Sequence, residues 1–290
     1  MTVSVLPAVV FDGVIDVSHH NGAIDWPAVA GAGIALAFIK ATQGTAFIDP
    51  AFERNRNAAV TAGILVVPYH FIDTADPDRQ AGHFLSVTGL EEGQPAMLDW
   101  ESAAPASTLV AIGSAVTLRT KRYPVAYYGF AQLAQPVPEL SLWPLMLPAY
   151  PSPAAGGSYA GLVTHPPRLP PGRDPARPYD FHQYTDAGRI AGIATPVDRS
   201  IWVGTKVELQ SFIGTPAAAG QAAIAGPDAS PVTDAQQAIP PVVGIPAAIV
   251  ALQAALQRDG FYHGALDGKF FRDSQAALDA YYRSIGVDRT

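Results

Sequence analysis

Short runs of apolar, often β-branched residues recur along the first two hundred positions of the chain, and helix-like segments separate them. We predict that residues from about Val9 to about Ile213 form one domain in which strands and helices alternate, with glycine or proline at the joins. The predicted strands are Val14–Val17, Ile34–Lys40, Ile64–His70, Ala96–Glu101 and Val125–Tyr128. The predicted helices between them are Asp25–Ala32, Pro50–Ala62, Asp76–Val87 and Ser107–Arg122.

This alternation also predicts how the strands are arranged. A strand, a helix and a further strand at this spacing form a parallel pair with a right-handed crossover, which builds a closed barrel or a doubly wound sheet. No glycine-rich phosphate loop follows any predicted strand, and this favours the barrel. After about Leu145 the helical pattern stops, a stretch rich in Pro, Gly and Arg covers Pro151–Pro178, and strands return at Tyr179–Tyr184 and about Pro196–Val203. We therefore expect an α/β fold whose last strands close the barrel without helices between them.

The rest of the chain has a different composition. Residues 214–246 consist mainly of Ala, Gly, Pro and small polar residues, which predicts a linker because too few large apolar groups are present to offset the entropy of ordering. Residues 247–290 carry apolar positions at helical spacing in Ile249–Gln257 and again in Ser274–Ile285, with a break at Asp259-Gly260. We expect a small all-α module there. The predicted domains are therefore 9–213, 214–246 and 247–290.

The amino-acid composition argues against several classes of function. The 290 residues have a formal net charge of −7, which argues against nucleic acid or an anionic membrane surface as a partner. The apolar runs are too short or too interrupted for membrane insertion, and the absence of cysteine excludes disulfides and thiol catalysis. The first ten residues lack a basic region and a long apolar region. We expect a protein made in the cytoplasm without a conventional signal peptide; its oligomeric state is left open.

The fourth predicted strand turns acidic where it ends. Asp99 and Glu101 are two residues apart, so in an extended strand both carboxylates face the same side while Trp100 faces the other. Repulsion between two like charges, together with partial burial, would keep one of the two protonated near neutral pH. The alternative interpretation is a solvated strand end with incidental acids, and strand geometry alone does not say which acid would hold the proton.

Other predicted strands also end in polar or aromatic residues. Asp16 ends the first strand, His70 the third, and Tyr127 and Tyr128 the fifth. The carboxyl ends of parallel strands in a barrel meet on one rim, where active sites of such folds collect. A single strand-end Asp is more often a helix cap or a loop residue. Because several predicted strands end in polar or aromatic residues, these residues together indicate a functional site.

Two chemistries could use such a cluster. A metal hydrolase would draw its ligands from Asp16, His19, His20, His70 and Asp99. Against this, no closely spaced His pair on a helix face is present, and the adjacent His19 and His20 cannot both point inward from an extended segment. Glycoside hydrolysis needs only two carboxyl groups, one as proton donor and one ionised, with no metal or cofactor. Aromatic residues suited to stacking on sugars surround the predicted strand ends: Tyr69, Trp100, Tyr127, Tyr128, Trp143 and Tyr150, although core packing is the commoner role for each.

Four blocks of sequence carry a resemblance to a known family. They are Gly13-Val-Ile-Asp-Val-Ser-His-His-Asn-Gly22, Phe38-Ile-Lys-Ala-Thr-Gln-Gly44 followed by Asp49-Pro-Ala-Phe52, Ala62-Gly-Ile-Leu-Val-Val-Pro-Tyr-His-Phe71, and Met97-Leu-Asp-Trp-Glu101. In this order the blocks resemble glycoside hydrolase family 25, the Chalaropsis-type lysozymes that cleave the β-1,4 bond after N-acetylmuramic acid in peptidoglycan. The resemblance implies a flattened, irregular β/α barrel of five β/α units closed by three further strands, with bacterial peptidoglycan as the polymeric substrate.

The resemblance also implies roles for individual residues. Glu101 matches the general acid, and Asp99 matches the carboxylate that orients or stabilises the substrate's N-acetyl group at the anomeric carbon. Asp16 and Asp198 match flanking acids. The groove positions are Tyr69, Tyr150, Gln183 and Tyr184, to which the strand-end argument adds Tyr127. His182, where Trp is usual, and Arg199-Ser200 after Asp198 depart from the family pattern; both bear on substrate contacts, and neither touches the acid pair.

Residues 247–290 resemble a small helical peptidoglycan-binding domain. The matching positions are Leu252-Gln253, Leu256, Gly260-Phe-Tyr-His-Gly264 and Leu266-Asp-Gly-Lys-Phe270, while the glutamine usual in the last helix is replaced around Tyr281-Tyr282. The hypothesis is therefore a modular N-acetylmuramidase that acts on the cell wall after endolysin-like release or delivery by a secretion system. The alternatives are a metal-dependent polysaccharide deacetylase and a catalytically silent wall-binding protein.

Overall fold

The structure, a computed structural model, describes residues 9–150, 159, 166–174, 178–214, 253–254, 256–264, 277 and 280. The chain divides into two compact units, Met1–Ala217 and Ala218–Thr290. Apart from Gly214, the predicted linker lies outside the described residues, as does most of the predicted last helix.

A single sheet contains every strand in the described part of the first unit. The strands are β1 (Val10–Val17), β2 (Leu36–Gln43), β3 (Phe47–Ile48), β4 (Leu65–Phe71), β5 (Met97–Trp100), β6 (Val125–Tyr128), β7 (Leu145–Pro148), β8 (Phe181–Gly188) and β9 (Val197–Val203). Their spatial order is β1-β9-β8-β7-β6-β5-β4-β2-β3, and a further pairing of β1 with β2 closes eight of them into a barrel. The two-residue β3 only folds back on the end of β2.

Strand direction decides which ends share a rim. Neighbours from β1 through β2, β4, β5, β6 and β7 to β8 are parallel, whereas β9 is antiparallel to both β8 and β1. The carboxyl ends of the parallel strands therefore meet the amino end of β9. The predicted barrel, closed by three later strands, is confirmed.

Four helices connect the early strands on the outside of the barrel, and a fifth follows the last strand. They are α1 (Trp26–Gly31), α2 (Phe52–Thr61), α3 (Pro77–Thr88), α4 (Ala106–Thr120) and α5 (Lys206–Ile213). Asp76 caps α3 by accepting a hydrogen bond from the Arg79 amide, and α3 ends at the left-handed Gly89. Between β6 and β7, the 3-10 turns Gln132–Ala134 and Pro138–Leu140 stand where a fifth crossover helix was expected.

Alternate residues of the strands fill the barrel interior. Inward-facing side chains include Phe38 on β2, Met97 on β5 and Phe181 on β8, and Leu209 of α5 joins the same core cluster. Burial of such side chains is the main stabilising contribution, about 1.5–3 kcal/mol for each large apolar group. The next inward position along each strand then lies at the rim, so the packing of the core determines which side chains face the site.

A bulge in β1 changes which side its residues face. The pairing of β1 with β9 shifts register between Phe11 and Val14, and both of these residues pack on the barrel interior. Alternation alone would place them on opposite faces. Because of the bulge, Asp12 faces outward while Asp16, four residues later, faces inward.

The described part of the second unit is a helical turn on a small apolar cluster. Gln253, Ala254 and residues 256–258 are helical, and the chain turns at Gly260, whose φ is +81°. Leu256, Tyr262 and Ala277 form a buried cluster. Among the helices that the structure describes, none is long and apolar enough to cross a membrane.

Candidate active site

A pocket of about 180 Å³ opens at the barrel rim directly above the core. It is lined by Asp16, Tyr69, Met97, Asp99, Glu101, Tyr127, Met146, Tyr150, Gln183, Asp186 and Asp198. Eight of the nine predicted site residues therefore lie together. Strands β1, β4, β5, β6, β8 and β9 deliver seven of them, and Tyr150 follows the end of β7.

The acidic strand end faces the pocket as alternation predicts. Met97, Asp99 and Glu101 all line it, while Trp100 turns the other way and donates from Nε1 to the Ala104 carbonyl at 2.7 Å. Asp99 is 7% exposed, whereas Glu101, just beyond the end of β5, is exposed. Glu101 is thus the acid at the mouth, and Asp99 lies deeper.

Asp16 and Asp198 are direct partners across the antiparallel pairing of β1 and β9. Burial, followed by the charge of Asp16, raises the pKa of Asp198 to about 9. Burial also raises the pKa of Asp16 to about 6, although hydrogen bonds from Asp198 and Gln183 partly offset it. Two carboxyl groups this close titrate as a pair. Between these values the pair of carboxyl groups holds one proton, which the two share in a hydrogen bond.

The other two acids are also harder to ionise than usual. Burial and then the charge of Glu101 raise the pKa of Asp99 well above its ordinary value. Burial, followed by the charge of Asp198, raises the pKa of Glu101. Oδ1 of Asp99 is buried without a hydrogen-bond partner from the protein. Such an unpaired buried oxygen is costly in a free enzyme and is available to a ligand.

Lys40 supplies the counter-charge. It is 8% exposed on β2, donates from Nζ to Gln43 Oε1 at 2.8 Å, and lies 4.6 Å from the ring centroid of Phe71. Its charge lowers the pKa of both Asp99 and Glu101, while burial lowers the pKa of the lysine itself. Sequence reasoning gave Lys40 no role, although a lysine ending an otherwise apolar strand was a signal.

Gln183 ties three strands together at the pocket floor. Its Nε2 donates to Asp16 Oδ2 at 3.0 Å, and its Oε1 accepts from the Tyr127 hydroxyl at 2.9 Å and the Tyr150 hydroxyl at 2.5 Å. Both tyrosine hydroxyls donate, so the amide nitrogen has to face Asp16. The predicted groove positions Tyr127, Tyr150 and Gln183 thus form one network that orients Asp16.

The predicted position of Tyr184 in the groove is wrong. The resemblance placed it in the groove, but the side chain is fully buried on the outer face of the barrel, where its hydroxyl donates to Asp12 Oδ1 at 2.8 Å. Since Gln183 points inward on β8, its neighbour has to point outward. Of the departures from the family pattern, His182 and Arg199 face outward as well, whereas Ser200 is buried with its Oγ 4.0 Å from Sδ of Met146, a residue that lines the pocket. Conversely, sequence reasoning missed Asp186, a fifth carboxylate at the pocket.

The five candidate metal ligands are not gathered at one point. His70 faces away from the pocket, with Nδ1 at 2.8 Å from Thr42 Oγ1 and Nε2 at 3.2 Å from Gln80 Oε1. Burial lowers the pKa of His70 to about 4, so it is neutral. His19 is held by Asp49, 2.7 Å from Nδ1 to Oδ2. Within the described ranges, no three His, Cys, Asp or Glu side chains are placed to hold a metal ion.

Comparison with known proteins finds one family and several related enzymes. Residues 15–129 match the family described as Glycosyl hydrolases family 25. Lysozyme M1 of Streptomyces globisporus is 30% identical over 206 residues, covering 67% of this chain and 69% of that protein. The uncharacterized protein YegX of Escherichia coli strain CFT073 is 31% identical over 214 residues, covering 69% of this chain and 72% of that protein.

A solved structure extends this likeness to the fold. The bacterial lysozyme of Streptomyces coelicolor superimposes with a TM-score of 0.58 and 27% sequence identity. The match covers 69% of this chain and 97% of that one.

Proposed function

Because the chain belongs to glycosyl hydrolases family 25, we propose that it is an N-acetylmuramidase that cleaves the β-1,4 bond between N-acetylmuramic acid and N-acetylglucosamine in peptidoglycan. The chain is a glycoside hydrolase, and lysozymes are among its relatives. The proposal goes further by assigning a role to each acid in the pocket.

The observation that carries the proposal is the charge state of the pocket. Four carboxyl groups from β1, β5 and β9 converge, and the pKa of every one of them is raised. Acid cleavage of a glycoside needs one carboxylic acid that keeps its proton and another group that stabilises positive charge at the anomeric carbon. The pocket meets both needs, and the charge of Lys40 favours the ionised forms of Asp99 and Glu101.

Glu101 is the proposed proton donor. It lies at the mouth, where the oxygen of a long glycan can reach it, and burial followed by the charge of Asp198 raises its pKa, which favours the protonated form that a proton donor needs. In the step, the bond between the anomeric carbon and the bridging oxygen breaks, and the oxygen takes the proton of Glu101. Water then supplies hydroxide to the anomeric carbon and returns a proton to Glu101.

Asp99 is the proposed stabiliser of the substrate's acetamido group. Its Oδ1 is free of protein hydrogen bonds, so it can accept one from the acetamido N–H. Burial and the charge of Glu101 raise the pKa of Asp99 in the free protein, and Lys40 offsets part of this rise; the proposed role uses the ionised form, which stabilises positive charge nearby. The pair of Asp16 and Asp198, which holds one proton, completes the acidic wall of the pocket and carries a net single charge.

Replacement of Glu101 by Gln tests this function. Glu101→Gln keeps the size of the side chain and removes the proton, so we expect an unchanged thermal midpoint and loss of reducing-end release from purified peptidoglycan. The matched control is Glu92→Gln, an exposed acid outside the pocket, which should retain wild-type turnover. Near wild-type turnover by Glu101→Gln would exclude Glu101 as the proton donor.

The second unit is proposed to bind the cell wall, where the enzyme would act. Support comes from its sequence motif and from the buried cluster of Leu256, Tyr262 and Ala277, which shows a packed unit. A wall-binding unit would raise the effective concentration of the enzyme at its polymer. In the full chain, Leu256→Asp should reduce co-sedimentation with insoluble peptidoglycan and spare hydrolysis of soluble glycan strands. Equal co-sedimentation would contradict the assignment.

A further inference from the structure

Two exposed phenylalanines stand at the catalytic rim. In the described part of the chain the large apolar side chains with high exposure are Val9, Phe47, Ile48, Phe130 and Val207, and only two of these are aromatic. Phe47 is 41% exposed and lies just beyond the end of β2, and Phe130 is 55% exposed, two residues after β6. Both strands end at the rim that carries the pocket, so both rings border the site.

Phe47 is connected to the catalytic acids through Lys40. The Lys40 Nζ lies 5.8 Å from the ring centroid of Phe47 and 4.6 Å from that of Phe71. Phe71 is in turn the strand partner of Asp99 on β5. Phe71 and Lys40 therefore form a chain of contacts along the rim between Asp99 and Phe47.

The backbone and the surroundings hold Phe47 in place. Phe47 pairs with Gln43 on β2, and its carbonyl oxygen accepts from His83 Nε2 at 3.0 Å. The His19 ring lies 5.7 Å from the Phe47 ring. Asp49, whose side chain is 1% exposed, binds Nδ1 of His19 at 2.7 Å and so fixes the imidazole, leaving Nε2 on the opposite edge of the ring. An apolar ring beside a fixed polar nitrogen suits one face of a sugar and its hydroxyl groups.

Phe130 is connected to the pocket from the other side. Its ring meets the Tyr150 ring edge to face at 5.0 Å, and Tyr150 belongs to the Gln183 network. The preceding Gly129 packs directly against Glu101, because a Cβ at this position would come within 2.4 Å of the Glu101 Cβ. Glycine here keeps Phe130 close to the proton donor.

The order of strands puts Glu101 between the two rings. Around the barrel the order is β6-β5-β4-β2, with Phe130 after β6, Glu101 after β5 and Phe47 after β2. We propose that the glycan strand of the substrate lies along this part of the rim, with one sugar stacked on Phe47 beside His19 and another on Phe130. This inference rests on the proposed function and adds to it two sugar-binding subsites on either side of the cleavage point.

Binding of glycan strands of defined length tests the proposal. In the full-length Glu101→Gln protein, calorimetry would compare peptide-free peptidoglycan glycans of two, four and eight sugars with and without Phe47→Ala or Phe130→Ala. Each replacement should weaken binding of the eight-sugar strand about tenfold and that of the two-sugar fragment much less, since loss of an aromatic anchor typically costs more than about 1 kcal/mol. Val207→Ala, an exposed apolar side chain on α5, should change neither.

Conservative variants separate stacking from folding. Phe47→Tyr and Phe130→Tyr keep the ring and should retain affinity for the eight-sugar strand. Unchanged affinity in both alanine variants, or an equal loss at every strand length, would overturn the two subsites, as would an absence of glycan binding. Failure of the proposed function has a different signature, because the protein with Glu101 intact would then release no reducing ends even where strand binding depends on Phe47 and Phe130.

Discussion

The strands β1, β8 and β9 carry two polar clusters, one on each face of the sheet. The inner cluster, at the pocket, is Asp16, Gln183 and Asp198, and the outer cluster is Asp12, Tyr184 and Arg199. On β8 and β9 the members of the two clusters are neighbours in sequence. The two clusters therefore share the same strand segments, and the face of the sheet toward which each side chain points decides whether it belongs to the pocket.

In the outer cluster, both carboxylate oxygens of Asp12 have complementary partners. Arg199 Nη2 lies 3.0 Å from Asp12 Oδ1, which also accepts from the Tyr184 hydroxyl at 2.8 Å, and the guanidinium lies 5.5 Å from the Tyr184 ring centroid. The second oxygen of Asp12 accepts from the Tyr159 amide at 3.1 Å. A carboxylate matched in this way stabilises the fold.

In the inner cluster two carboxyl groups face each other, and the groups around them are a glutamine and further acids. Their pKa values are raised as a result, to about 6 for Asp16 and about 9 for Asp198. A fold tolerates such a mismatch where chemistry uses it. We infer that the outer cluster serves stability and the inner cluster serves the proposed reaction, and three substitutions and one pH series test this division of roles.

The largest effect is expected from Asp198→Asn. The amide can still donate a hydrogen bond to Asp16, but unlike the acid it cannot ionise when positive charge develops at the anomeric carbon, so activity should fall about a hundredfold or more. The thermal midpoint at pH 8 should stay the same or rise, because a buried acid is removed. Activity measured as reducing ends per folded molecule, with melting in parallel, checks both parts. A stable variant with full activity would show that the inner cluster is structural.

Arg199→Met should lower the stability of the fold and leave the activity unchanged. Asp12 would lose its cation partner, and an unfolding free energy lower by about 1–3 kcal/mol is expected. Turnover per folded molecule should stay near wild type because Arg199 faces away from the pocket. Chemical denaturation measures the first quantity, and Arg189→Met, an exposed arginine on the same hairpin, is the control. A large loss of turnover without loss of stability would contradict the division of roles.

The pH dependence of stability gives a smaller signal. The folded-state pKa of Asp198 is raised to about 9, so between its unfolded value and about pH 9 the folded protein binds more protons than the unfolded chain, and its stability falls as pH rises. Buried His70 and His182, whose pKa values are lowered to about 4, have the opposite effect, but only below about pH 6.5. The thermal midpoint of Asp198→Asn relative to wild type should therefore increase from pH 6.5 to pH 9. A constant difference would mean that Asp198 has an ordinary pKa.

Lys40→Met should give the mildest change, a shift of the pH–activity profile. The Lys40 cation lowers the pKa of Asp99 and Glu101, so its removal raises both, and the whole profile should move to higher pH. Lys40→Arg keeps the charge and should move the profile much less. A uniform drop in activity with an unmoved profile would indicate a packing role for Lys40.

Much of the fold and most of the site follow from local patterns. Val125–Tyr128 was predicted as a strand and is β6, and the ends of β1 and β5 place Asp16, Asp99 and Glu101 at one rim. Helix α5 was not predicted, although Thr205 and Glu208 form a capping box before it and could have indicated it.

Other features depend on pairing between strands that are distant in sequence. Tyr184 was assigned to the groove by the family resemblance, and nothing in β8 itself says which of its faces turns inward; pairing with β7 and β9 decides this. The bulge that separates Asp12 from Asp16 likewise exists only in the register with β9. The effect of Lys40 on the acid pair arises because β2 and β5 lie on either side of β4, a neighbourhood that no local pattern records.

The chemical identity of the new chain end tests the proposed N-acetylmuramidase activity most directly. Purified peptidoglycan would be digested with the full-length protein, reduced with borohydride and analysed by mass spectrometry. We expect fragments ending in reduced N-acetylmuramic acid, present with the wild type and absent with Glu101→Gln. Fragments ending in reduced N-acetylglucosamine, deacetylated sugars without chain cleavage, or no soluble fragments at all would contradict it.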